Sequence, residues 1–131
     1  MAQRTPEEKA RSREMEIAFL EGVRSRLPQN VAVWESLGCL YTEMGRFDDG
    51  LQADRQVVQM HPNSAVAWYN LACSLALTQG GDATFEALDK AVALGYDDVE
   101  WMERDGDLDA IREDPRYIRL FSMLRATVPE E

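Results

Sequence analysis

The sequence predicts an all-α fold built from antiparallel helix hairpins stacked side by side. Three observations carry this. The 131-residue chain resembles itself when shifted by 34 positions. Each such stretch carries two runs of apolar residues at helical spacing. Glycine and proline punctuate those runs where helices would end.

The repeat is seen by direct pairing. Trp34 meets Trp68, Leu37 meets Leu71 and Cys39 meets Cys73. Asp48 meets Asp82, Ala53 meets Ala87 and Val58 meets Val92. Six identities in 34 positions exceed the roughly two that ordinary composition gives. The register also extends backward. Pro28 stands one repeat before Pro62, and Ile17, Leu20 and Val23 fall where Leu51, Asp54 and Val57 fall.

The elements follow in order. Thr5, Pro6 and Glu8 make a strong helix start, with a cap, a first-turn proline and a capping-box partner. The resulting N-terminal segment spans 5–28 as a partial repeat, with Met15, Ile17, Phe19, Leu20, Val23 and Leu27 as its apolar side. The first full repeat covers 31–64. Val33, Trp34, Leu37, Leu40, Tyr41 and Met44 stripe its first helix, Gly45 breaks it, and Leu51, Ala53, Val57, Val58 and Met60 stripe the second. The second repeat covers 65–98, with Gly80-Gly81-Asp82 as its turn. Residues 99–127 depart from the repeat and read as short capping helices, one of them started by Asp114-Pro115. A length of 131 residues fits one domain, 1–131.

The pattern Trp34-x2-Leu37-Gly38-x2-Tyr41, then Gly45, Phe47, Ala53 and Pro62, resembles the tetratricopeptide repeat (TPR) family. Trp68-x2-Leu71-Ala72, Ala91 and Val92 repeat it. Gly50 stands where the family prefers alanine, and Gly81 replaces the aromatic found at Phe47, so looser packing is expected at both. The tail, from Leu94-Gly95-Tyr96 through Trp101 and Asp105-x-Asp107-Leu108 to Asp114-Pro115-Arg116-Tyr117, is similar to the end-of-group segment that closes many bacterial TPR arrays. A stack of repeats leaves an apolar end that an atypical element must cover. Trp101, Leu108, Ile111, Tyr117 and Phe121 are expected to cover it.

The resemblance implies a TPR-type α-α superhelix and a non-enzymatic scaffold that binds a protein or peptide in a concave groove. Placed residue by residue, the groove candidates are Glu35, Cys39 and Thr42 on one first helix, and Tyr69, Asn70 and Cys73 on the next. Asn70 falls where the family often grips a ligand backbone. No basic residue stands in the groove, so a clamp for a C-terminal carboxylate is not expected. Two other roles stay open: a small chaperone for one client, and a self-associating structural component.

Charge narrows the partner. The net charge is −10, and the middle of the chain, residues 31–100, carries eleven acidic groups against three basic. A basic or neutral protein segment is favoured, and nucleic acid or an anionic membrane is disfavoured. No apolar run reaches the roughly 20 residues of a membrane span, and the N-terminus lacks the apolar core of a secretory signal. A cytoplasmic location is therefore expected.

Enzymatic chemistry finds little support, and no catalytic residue, cofactor or metal is expected. Two cysteines and one histidine fall short of a four-ligand zinc site. Asp105-Gly106-Asp107-Leu108-Asp109 starts like a calcium loop, but Ala110 and Arg116 stand where glycine and glutamate are required. No lysine follows Gly80-Gly81 as a phosphate loop needs. His61 is expected to be exposed and inert. Cys39 and Cys73 occupy equivalent positions on helices about 8–10 Å apart, too far for a disulfide. Two buried free thiols are expected.

Overall fold

The computed structural model describes residues 3–129. Among them every regular element is helical. The chain forms two compact units, one up to Met60 and one from His61 onward.

The N-terminal unit holds α1 (Pro6–Arg26), α2 (Val31–Glu43) and α3 (Phe47–Met60). The expected start of α1 is present in full. Thr5 Oγ1 accepts from Glu8 N–H at 3.1 Å, and the Glu8 carboxylate accepts from Thr5 N–H at 3.1 Å. Asn30 caps α2 by accepting from Val33 N–H. Gly45 ends α2 with φ of 76°. This left-handed turn lets Arg46 N–H reach Tyr41 O and Gly45 N–H reach Thr42 O, satisfying carbonyls that the helix end would leave open.

A short connection folds α3 back along α2. The core joins Ile17, Val33, Leu37, Leu40, Tyr41 and Ala53, with Leu20, Val23, Trp34 and Met44 packed against it. Gly38 and Gly50 are where α2 and α3 crowd each other. A Cβ on Gly38 would lie 2.8 Å from Asp54 Oδ1 and 3.6 Å from Ala53 Cβ. One on Gly50 would lie 2.9 Å from Thr42 Oγ1. Gly50 thus serves close approach, where the sequence suggests loosened packing. On α1 the expected apolar side is divided. Ile17 is buried, whereas Met15, Phe19 and Leu27 are exposed.

The C-terminal unit holds α4 (Ala65–Thr78), α5 (Asp82–Ala93), α6 (Val99–Arg104), a 3-10 segment (Gly106–Ile111) and α7 (Pro115–Thr127). Ser64 caps α4. Trp68 Nε1 donates to Pro62 O at 2.7 Å, as Trp34 Nε1 donates to Pro28 O at 2.9 Å in the other unit. The repeated spacing of tryptophan and proline therefore ties each first helix to the turn before it. Gly95 ends α5 as Gly45 ends α2, with Tyr96 N–H on Ala91 O. The 3-10 segment packs on α4, and α7 packs on α5 and α6. Leu108, Ile111 and Tyr117 are buried as expected of the cap, and Phe121 is half-buried. Trp101 is not part of it: the residue is 48% exposed, on a short helix that buries Val99 and Met102 instead.

Thr84 is fully buried, and its hydroxyl has no hydrogen-bond partner among the described residues. An orphaned buried hydroxyl costs about 1–3 kcal/mol, and valine has its shape without the polar atom. Thr84→Val is expected to stabilise the protein by about 1 kcal/mol. Urea denaturation checks this, and a destabilised variant would contradict it.

Candidate functional site

The six groove candidates lie on α2 and α4, and the repeat register makes the two helices comparable. Glu35 corresponds to Tyr69 and Cys39 to Cys73. Their surroundings differ sharply.

On α2, Glu35 and Cys39 are exposed and Thr42 is half-buried. Glu35 has no ion pair among the described residues. The Cys39 thiol donates to Glu43 Oε1 at 3.6 Å, and Glu43 also accepts from Arg13 Nε at 2.8 Å. Partial burial and then the Glu43 charge push the Cys39 thiol up from its ordinary value. A smaller fraction of Cys39 is therefore thiolate at neutral pH than of an ordinary exposed cysteine. Thr42 is turned inward, its hydroxyl donating to Gly38 O at 2.9 Å. The expectation that both thiols are buried fails at Cys39, which no described residue of this unit covers.

On α4 the corresponding face is closed. Tyr69 is 2% exposed and Cys73 6%. The register expects both to face a ligand. Instead, the loop entering the 3-10 segment lays Asp105 on them. Tyr69 Oη donates to Asp105 Oδ2 at 2.6 Å, and Cys73 Sγ donates to the same oxygen at 3.5 Å. The Tyr69 ring stacks on Tyr96, with centroids 4.1 Å apart and planes 4° from parallel. Asp105 Oδ1 accepts from Asp107 N–H at 3.0 Å and so caps the 3-10 segment. Arg112 fastens the loop from the other side, donating to Asp105 O at 2.6 Å, to Tyr117 Oη at 3.2 Å and to Asp109 Oδ1 at 2.9 Å. Asn70, one step round the helix, stays exposed.

Burial dominates the chemistry of this cluster. It raises Tyr69, Tyr96 and Cys73 far above their ordinary values, and the Asp105 charge pushes Cys73 further. The thiol is held protonated. Cys73, Asp105 and Asp107 bring a sulfur and two carboxylate oxygens within 4.8 Å of one another. Both Asp105 oxygens already accept hydrogen bonds, so the cluster is a filled polar network. Asp105 is not legible in the sequence as a partner of Cys73, because the two lie far apart along the chain. Its local signal is the Asp105-x-Asp107 step that reads as a helix cap. His61 is exposed, as expected.

Asp107 is raised by burial first, then by the Asp105 and Asp109 charges. A carboxyl raised by folding favours the fold when protonated, and that favour is lost as pH rises through the folded value. Asp107→Asn is therefore expected to raise Tm at pH 7 and to leave it nearly unchanged near pH 3, where the native side chain is itself neutral. Equal shifts at both pH values in a calorimetric scan would contradict this cause.

No family model matches the chain. Over 79 residues, 58% of this chain, it is 28% identical to a chloroplastic protein of Arabidopsis thaliana. The match spans about a quarter of that relative's length, 24%. Among solved structures, MamA is similar, with a TM-score of 0.72 at 22% identity, covering 95% of this chain and 75% of that one. The all-helical hairpin architecture and this likeness fit a TPR-type fold. No helix among the described residues is long and apolar enough to cross a membrane.

Proposed function

We propose that the protein is a non-enzymatic interaction module whose α2 face, centred on Glu35 and Cys39, holds a protein segment carrying lysine or arginine. One observation carries this reading. Two helices equivalent in sequence present equivalent faces, of which one is covered by the chain's own Asp105 loop and the other is open. The covered face illustrates how such a surface is occupied: a short loop contributes one polar side chain and a helical turn. On the open face Glu35 supplies the charge that selects a basic partner. Tyr69 and Cys73 leave the contact set because they serve the fold, whereas Asn70 remains a secondary candidate. The TPR-type fold supports a scaffold role, and a cytoplasmic location agrees with it.

A pull-down from the source cell's lysate tests the reading, with native chain and a Glu35→Lys, Cys39→Arg variant as baits. A protein retained by the native bait and lost by the variant is expected. Equal retention by both would move the site away from α2. Nothing retained by either would favour self-association, which sedimentation at several concentrations would then reveal. One client at fixed stoichiometry would mark a dedicated chaperone.

A further inference from the structure

The outer face of α1 has the features of a helix-docking surface. Phe19 is 67% exposed and Met15 68%. In the repeat register Phe19 corresponds to Ala53 and Ala87. Both of those are buried, and Ala53 lies at the crowded contact of α3 with its first helix, α2. Phe19 thus stands where a second helix of a hairpin meets its first. By helical geometry Glu8, Ser12, Met15, Phe19, Gly22 and Arg26 lie opposite the buried Ile17.

Gly22 is an independent sign. Glycine inside a helix is unfavourable, and the chain places Gly38 and Gly50 where two helices crowd each other. Gly22 is also inside a helix, yet a Cβ built on it meets nothing within 4 Å. Among the described residues, no neighbour needs the space.

Charge indicates the occupant. Arg26 ends the stripe, Arg4 and Arg11 flank it, and a shallow depression at its N-terminal end is lined by Arg4, Glu8, Arg11, Ser12 and Met15. Arg11 and Arg26 have no ion pair among the described residues, and the Glu8 carboxylate is held by Thr5 N–H. The face thus carries three arginines against one carboxylate on a chain of net charge −10, with the exposed Glu7 and Glu16 at its edges.

We infer that the outer face of α1 docks an acidic amphipathic helix of a partner protein, packed against Met15, Phe19 and Gly22 as α2 packs on α3. The glycine admits the partner's backbone, the two apolar side chains enter its stripe, and the arginines meet its carboxylates. The stripe from Glu8 to Arg26 is about 27 Å long, which sets the partner segment at about 18 residues.

Fluorescence anisotropy with two labelled helical peptides of about 18 residues tests the inference. Both carry tryptophan and leucine at the i, i+3, i+4, i+7 spacing; one has glutamate at the remaining positions and the other lysine. The acidic peptide is expected to bind at least tenfold more tightly to the α1 face. Phe19→Ala and Gly22→Gln are each expected to weaken it at least tenfold, while Asp89→Asn, at an exposed position of α5, leaves it unchanged. Gly22→Gln separates binding from folding, since the site is open and glutamine is the better helix former. Acidic-peptide binding indifferent to both α1 variants, or no saturable binding of that peptide, would overturn the inference. So would a concentration-dependent dimer abolished by Phe19→Ala, which would make a second copy the occupant.

Discussion

Asp105→Ala is expected to destabilise the C-terminal unit by about 3 kcal/mol. The Tyr69 hydroxyl, on a residue 2% exposed, would lose its acceptor and stay buried, which costs about 1–3 kcal/mol. The Cys73 thiol would lose the same acceptor at smaller cost, because a thiol is a weak donor. The 3-10 segment would lose its cap, by analogy with helix caps about 1 kcal/mol more. Asp105→Asn keeps one acceptor oxygen but turns an NH2 donor toward the other donor, so it is expected to recover only part of the loss. Equilibrium urea denaturation of the three proteins measures this. An alanine variant as stable as the native protein would show that the loop is not held by this network.

Leu37→Ala is the largest effect expected in the N-terminal unit, about 3–5 kcal/mol. Leu37 is wholly buried in the core that joins α1, α2 and α3. Truncation removes its burial energy and leaves a cavity that three packed helices cannot close without moving. Glu35, two positions earlier, is exposed to solvent, and Glu35→Lys is expected to cost less than about 0.5 kcal/mol. Similar losses from both, measured by denaturation, would contradict the assignment of opposite faces. The contrast matters for function, because a charge reversal that leaves folding intact can be read as a binding variant.

Helices are legible in the sequence because three signals agree: periodic apolar residues, polar caps and terminal glycines. Thr5, Gly45 and Gly95 act as the pattern predicts. What periodicity does not supply is the environment of each face. Met15 and Phe19 have the spacing of a buried side but lie opposite Ile17, toward solvent. Trp101 has the composition of a cap residue on a helix too short to bury it. Tyr69 and Cys73 sit at groove positions by register, and an aspartate from far along the chain turns those positions into core. Such long-range coverage leaves no trace in spacing, since nothing local distinguishes a face awaiting a partner from one that the chain itself will cover.

The contrast between the two faces is tested most directly by timing thiol modification in the folded protein at pH 8. One thiol, Cys39, is expected to be modified first and alone. Cys73 should react only as fast as the C-terminal unit opens, and faster in the Asp105→Ala variant. Two thiols reacting at one rate in the native protein would contradict the closed face of α4, and with it the distinction on which the binding assignment rests.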